Sequence, residues 1–480
     1  GISNVAIGAK ALEDNTTGDN NLAVGTFALD ANTTADNNTA IGRAALTDNT
    51  TGHSNSAVGA NSLYFNTTGT ANTTVGFDSL EHNTGGNNNC ALGFQALEDN
   101  TSGSNNVAVG SNALDSNTTA QNNTAIGRLA LSANTTGHSN VAVGANALDA
   151  NTTANNNIGI GLNALGVNTT GTANTAIGTN SLQDNTTGDH NLGVGLQTLR
   201  ETTTGNYNIA LGSNAMLLNA TGSQNIAIGY QALYNNTAGS NTAVGYESLK
   251  ANTTGASNVA VGAHALDSNT TASANVAVGL DALGGNTTGG SNTACGHRAL
   301  KSNTTGSSNT ALGSQVLMNT TASSNTAVGA FAMQNSTTGS HNTAVGLETL
   351  KSNQTGTNNA AFGAGALKNN TSSFNTGIGR HALENNTSGT KNTGVGNLAL
   401  LSNTTGSFNT SLGYDALGDN TTGEKNVAVG SHSLLVNETG SNNTAVGEAA
   451  LNQNTASNNT AVGFESLKAN TTGTLNVAVG

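Results

Sequence analysis

The apolar residues of this chain fall in a short pattern that keeps returning. Asn21-Leu22-Ala23-Val24-Gly25 comes back as Asn38-Thr39-Ala40-Ile41-Gly42 and again as Asn140-Val141-Ala142-Val143-Gly144. The closing glycine recurs 29 times between Gly8 and Gly480, at 24 steps of 17 residues and four of 16. A fixed period of this length marks a chain made of one supersecondary unit copied end to end.

Each position of the unit has its own chemistry. Four residues before the glycine (Gly8, Gly25, Gly42) stands Asn, as at Asn21, in every copy. Two before it stands Ala23 or its equivalent, replaced only by small residues such as Thr74, Gly159 and Ser411. Val24 and its equivalents precede the glycine directly. On an extended chain the residues on either side of Ala23 point one way and Ala23 the other. The segment is therefore apolar on both faces, the signature of a strand covered on both sides. Ala28 and Leu29 follow as a second short apolar element. Gly25 suits a corner, because glycine tolerates backbone angles that other residues resist. The run Asn15-Thr16-Thr17-Gly18 has turn chemistry, with Asn able to bond the backbone beyond it and Gly able to take positive φ.

A helical repeat does not fit, since Gly and paired Thr interrupt almost every copy. Two short strands and two corners per unit predict an all-β fold. The expected architecture is a parallel β-solenoid (β-roll) of about 28 coils, most of 17 residues and four of 16. Stacked at the usual interstrand spacing, such coils make a rod on the order of 135 Å long. The short coils close at Gly245, Gly329, Gly379 and Gly463, and each loses its residue at the Asn-Thr-Thr-Gly corner. Residues 1–480 read as one continuous repeat region with no separate domains or caps. The first and last coils resemble the middle ones, so the expectation is a longer parent chain or an end-to-end filament.

Composition narrows the function classes. Charged residues are 8% and aromatics 3%, with no Pro or Trp. The net charge of −13 is spread thinly, and no Lys/Arg cluster exists to neutralise phosphates, which argues against nucleic acid. No apolar run approaches the roughly 20 residues of a membrane helix. Cys90 and Cys295 occupy apolar positions many coils apart, too far for a disulfide within a straight stack, and read as small buried hydrophobes.

The pattern Asn-x-Ala-[Val/Ile]-Gly-x-x-[Ala/Ser], as in Asn4-Val5-Ala6-Ile7-Gly8 and Asn106-Val107-Ala108-Val109-Gly110, resembles the head repeats of YadA-like trimeric autotransporter adhesins. It also looks like repeats in some viral and phage fibre proteins. The resemblance implies left-handed parallel β-rolls, three chains side by side, on a bacterial or virion surface, with host matrix or cells as partners. The coils here are longer, in the Asn-Thr-Thr-Gly corner. A trimer also suits the strand, because a single roll can enclose only one of its faces. Val24, Ile41 and Val58 would then form an outward apolar stripe that closed symmetry covers.

Candidate chemistry is sparse. Nine histidines are scattered without His-x-His or His-Glu-x-x-His spacing, so no metal site is expected. No catalytic constellation and no cofactor motif can be singled out. Most corners read Asn-x-Thr/Ser, which makes Asn15, Asn32, Asn49, Asn66, Asn117, Asn134, Asn219, Asn353 and Asn437 candidate N-glycosylation acceptors. The alternative is an Asn ladder, side chains bonding from coil to coil. Thr rows suggest an ice-binding array, yet Thr16 and Thr17 are adjacent and should point oppositely. Tyr230, Tyr234 and Tyr246 come nearest to a cluster of candidate binding aromatics. The reading is a non-catalytic structural rod of an extracellular filament, adhesin or viral fibre, self-associating as a homotrimer. The alternative is a module whose corners bind a host glycan or protein, and the minor one an ice-binding protein.

Overall fold

The computed structural model describes residues 1–480, in two units, Gly1–Ser240 and Asn241–Gly480. Each unit is a β-solenoid, and each coil contributes one strand of three residues. The first unit holds β1 (Val5–Ile7) to β14 (Ile226–Ile228), and the second β15 (Thr242–Val244) to β29 (Val477–Val479). Within a unit every strand pairs in parallel with the next, at constant register. Ala6 lies beside Ala23, Ala23 beside Ala40 and Ala40 beside Ala57. Like residues therefore stack on like, and columns of one residue type run through the unit. No helix is long and apolar enough to cross a membrane.

The strands are short because little holds the chain extended on either side of them. The middle residue enters the coil interior, where Ala23, Ala40 and Ala57 are fully buried. Its two neighbours face outward and stay partly exposed, as Leu22 and Val24 do. Ala28 and Leu29 complete the interior and are also fully buried. A small residue at the strand centre thus leaves room for the leucine of its own coil and its neighbours. Each buried leucine contributes on the order of 2–3 kcal/mol of transfer free energy.

The second apolar element is not a strand, contrary to the sequence expectation. The segment after each glycine is a turn in which alternate residues adopt left-handed backbone angles: Phe27 has φ 61° and Leu29 φ 54°. A branched residue in this conformation costs roughly 1–2 kcal/mol. Full burial of the leucine offsets that cost in each coil. Ala28 and Leu29 are adjacent and both buried, which a strand with alternating faces would not give. The turns are still bonded from coil to coil: Phe27 N donates to Ala9 O at 3.0 Å and Leu29 N to Ala45 O at 3.0 Å. Backbone polar groups are thereby satisfied well outside the strands, as burial requires.

The two recurrent glycines serve different purposes. Gly25 has φ 137°, and a Cβ there would stand 2.2 Å from Gly42 O. Here both the angle and the close approach of the next coil require glycine. The corner glycine, expected to need positive φ, does not have it. A Cβ on Gly18 would instead meet Ala35 O at 2.4 Å and Asn15 Oδ1 at 2.6 Å. That position selects for small size, and Ala35, Ala120 and Ala154 fill it in other coils while remaining buried.

Candidate functional site

Two columns of asparagine line the coil interior. In the strand-side column Asn38 N donates to Asn21 Oδ1 at 2.9 Å, and Asn38 Nδ2 donates to Gly52 O at 3.0 Å. In the corner column Asn49 Nδ2 donates both to Asn32 Oδ1 at 3.1 Å and to Gly52 O at 2.9 Å. The first of these bonds links coil to coil; the second closes the corner of its own coil. A mid-column corner amide such as Asn49 thus spends both N–H donors inside the protein.

These corner asparagines are the candidate glycosylation acceptors. Asn32, Asn49, Asn66, Asn117, Asn134, Asn219, Asn353 and Asn437 are all fully buried, and Asn15 is partly buried with Nδ2 donating to Gly18 O. The folded coil has the geometry of the ladder. A sugar on Nδ2 would occupy the space of the neighbouring coil and remove one of its bonds.

The corner column is interrupted at identifiable places. Asn219, Asn303, Asn353 and Asn437 each have a buried Oδ1 with no hydrogen-bond partner. Each stands one coil before a 16-residue coil. In three of those coils the shortened corner turns the next amide aside: Asn236, Asn370 and Asn454 donate to Ala238 O, Ser372 O and Ala456 O, two residues on. In the fourth, Thr320 takes the place of asparagine. Asn185 Oδ1 is unpartnered for the same reason, because Thr202 follows it in a coil of ordinary length.

Outside, the strand-flanking residues form an apolar row along each unit. Val75 is 46% exposed, Ile126 39% and Leu312 48%. Cys295 belongs to this row and Cys90 to the outward row at the first strand position, both free and half-buried, rather than to the interior expected from sequence. The two corner threonines differ. Thr33 Oγ1 donates to Thr50 O and Thr50 Oγ1 to Thr67 O, so this row spends its hydroxyls on the next coil. Thr34, Thr51 and Thr68 are exposed beside it. Tyr230 is exposed just after Gly229, and Tyr234 is half-buried farther along the same coil; both belong to the first unit. Tyr246 belongs to the second unit, where it meets His264 edge-on at 5.3 Å. Two hollows of about 510 and 540 Å³ indent the surface, one over Gly284 and Gly285 and the other between Phe27 and Tyr64.

Ionisable side chains stack in the same way. In the second unit Glu348 accepts from Lys351 Nζ at 2.6 Å and lies 2.7 Å from Lys368 Nζ. The hydrogen bond from Lys351 and then that from Lys368 bring its carboxyl down to about 2. In the first unit Glu81, His82 and Glu98 place their ligand atoms within 4.8 Å of one another. Burial lifts Glu81 above the ordinary carboxylate range, with the charge of Asp78 adding to it. Burial also lifts Glu98, helped by Asp99 and Asp115. Sequence reasoning missed this group because its members lie on different coils. The signal is a match at one coil's spacing, and the search was for local motifs. No protein-family model matches the chain, and no curated protein does either.

Proposed function

We propose that the chain is a non-catalytic structural shaft, part of an extracellular filament, adhesin or viral fibre, built from left-handed rolls associated as a homotrimer. The observation that carries this reading is the outward apolar row. Val24, Ile41, Val58 and their equivalents recur in every coil, on a face that interior packing leaves uncovered. A continuous apolar stripe is larger than soluble monomers usually expose, and self-association through closed symmetry covers it on every copy at once. The paired asparagine columns support the same reading. They bond each coil to the next along long runs of the unit. The resemblance to YadA-like head repeats selects three chains, the handedness and a surface location.

Two other readings have less behind them. A glycan- or protein-binding module would use the exposed tyrosines, such as Tyr230 in the first unit and Tyr246 in the second. An ice-binding array would need free hydroxyls in both corner rows, and Thr16, Thr33 and Thr50 have theirs engaged. Electron microscopy of the native material tests the proposal. Unbranched rods of uniform width are expected, and globular particles would contradict it.

A further inference from the structure

We propose that Glu81, His82 and Glu98 bind a divalent transition-metal cation of the Zn²⁺ type. Glu81 and Glu98 occupy the same position in successive coils, so constant register forces their carboxylates together. His82 follows Glu81 on the outer side of the same turn. The three side chains offer one imidazole nitrogen and two carboxylate oxygens within 4.8 Å of one another. One cation with ligand bonds of about 2.0–2.2 Å bridges groups at that separation after small side-chain adjustments.

The imidazole distinguishes this group from a run of surface acids. Its Nδ1 is closed off from solvent and has no hydrogen-bond partner, the nearest carboxylate oxygen being Asp99 Oδ1 at 3.6 Å. The ring is stacked on Phe65, centroids 5.4 Å apart and planes 13° apart, which restricts its rotation. The His82 side chain is 44% exposed, so this unpartnered nitrogen, though covered, stands at the coil surface, within reach of a cation from solvent. The surroundings point the same way. Asp78, Asp99 and Asp115 add charge to Glu81 and Glu98, and none of the five is paired with Lys or Arg. Some acidic positions elsewhere do have such partners. Asp281 faces Lys301 and Arg298, and Glu348 faces Lys351 and Lys368. The mixed nitrogen and oxygen set favours Zn²⁺, Co²⁺ or Ni²⁺ over Ca²⁺ or Mg²⁺, which take oxygen ligands.

Isothermal titration of the full chain with ZnCl₂ in a non-chelating buffer tests the assignment. The expected result is one saturable site per chain, weakened about tenfold or more by His82→Gln and by Glu98→Gln. CaCl₂ should bind more weakly than ZnCl₂. Both substitutions lie on the coil surface, and hydrogen exchange at Leu80 and Leu97 checks that the variants fold. The assignment is overturned if no saturable site appears or if both variants bind like the parent. It is equally overturned if CaCl₂ binds as tightly as ZnCl₂ without regard to His82, which would mean only a diffuse acidic column.

Discussion

Asn303 ends a column: its fully buried Oδ1 receives no hydrogen bond from Thr320, the residue at the same place in the next coil. The equivalent oxygen of Asn100 receives Asn117 Nδ2 at 2.7 Å. One substitution and one deleted corner residue separate the two situations. The asparagine column therefore runs as segments whose ends fall where coils are short or the asparagine is replaced.

The first expected outcome contrasts a mid-column residue with an end residue. Asn117 donates to Asn100 Oδ1 and Ala120 O and accepts from Asn134 Nδ2, whereas Asn353 donates only to Gly356 O. Asn117→Ala removes more bonds and strands two buried groups, each costing about 1–3 kcal/mol. It should cost roughly 2–4 kcal/mol more in local stability than Asn353→Ala. Hydrogen exchange on the two variants measures this, and equal losses would contradict the ladder's role.

Glycine at the corner after each strand is required for two reasons at once. Gly144 has φ 134°, and a Cβ there would stand 2.5 Å from Gly161 O. Gly144→Ala should therefore destabilise by roughly 1–3 kcal/mol from backbone strain alone, with the collision added. Because coils contact only their neighbours, the loss of exchange protection should stay within a few coils of the change. Uniform loss throughout the first unit would contradict this.

Inward and outward residues should respond differently to substitution. Leu114 is fully buried, and Leu114→Ala should cost about 2–5 kcal/mol of local stability by leaving a cavity. Val109, Ile126 and Val143 face outward on adjacent strands. Replacing all three by Lys should leave each coil folded and disrupt association. Circular dichroism and sedimentation separate the two effects. Loss of fold in the triple variant would mean that these side chains hold the coil itself.

Much of this was legible in the sequence, because a repeat prints its own alignment. Ala23 and Ala40 declared the interior by their small size, and Leu29 by its constancy from coil to coil. The outward orientation of Val24 followed from alternation. The segment at Ala28 and Leu29 was misread, since a short apolar pair between corners does not distinguish a strand from a turn with left-handed residues. The role of Gly18 was misjudged because close packing between coils is a tertiary property. Cys295 passed for an interior residue because an outward apolar row has the same composition as a core. Groups such as Glu81, His82 and Glu98 appear only when residues a coil apart are placed side by side.

Acid should weaken the second unit locally around Glu348. Its folded value of about 2 lies below the ordinary 4.5, so the pairing with Lys351 and Lys368 stabilises the folded chain above pH 4.5. The contribution is lost as pH falls from there toward 2. The side chain is 29% exposed, so solvent screens the pair and the effect is small. Exchange protection at Leu350 and Leu367 should fall over this range in the parent and less in Glu348→Gln. Identical profiles for the two would contradict the assignment.

The account rests on the outward apolar row being covered by copies of the same chain. Multi-angle light scattering on a dilution series tests that claim most directly. The expected result is a species of three times the 47.3 kDa chain mass that persists to low micromolar concentration. A soluble species of 47.3 kDa across the whole series, with its strands intact, would contradict it.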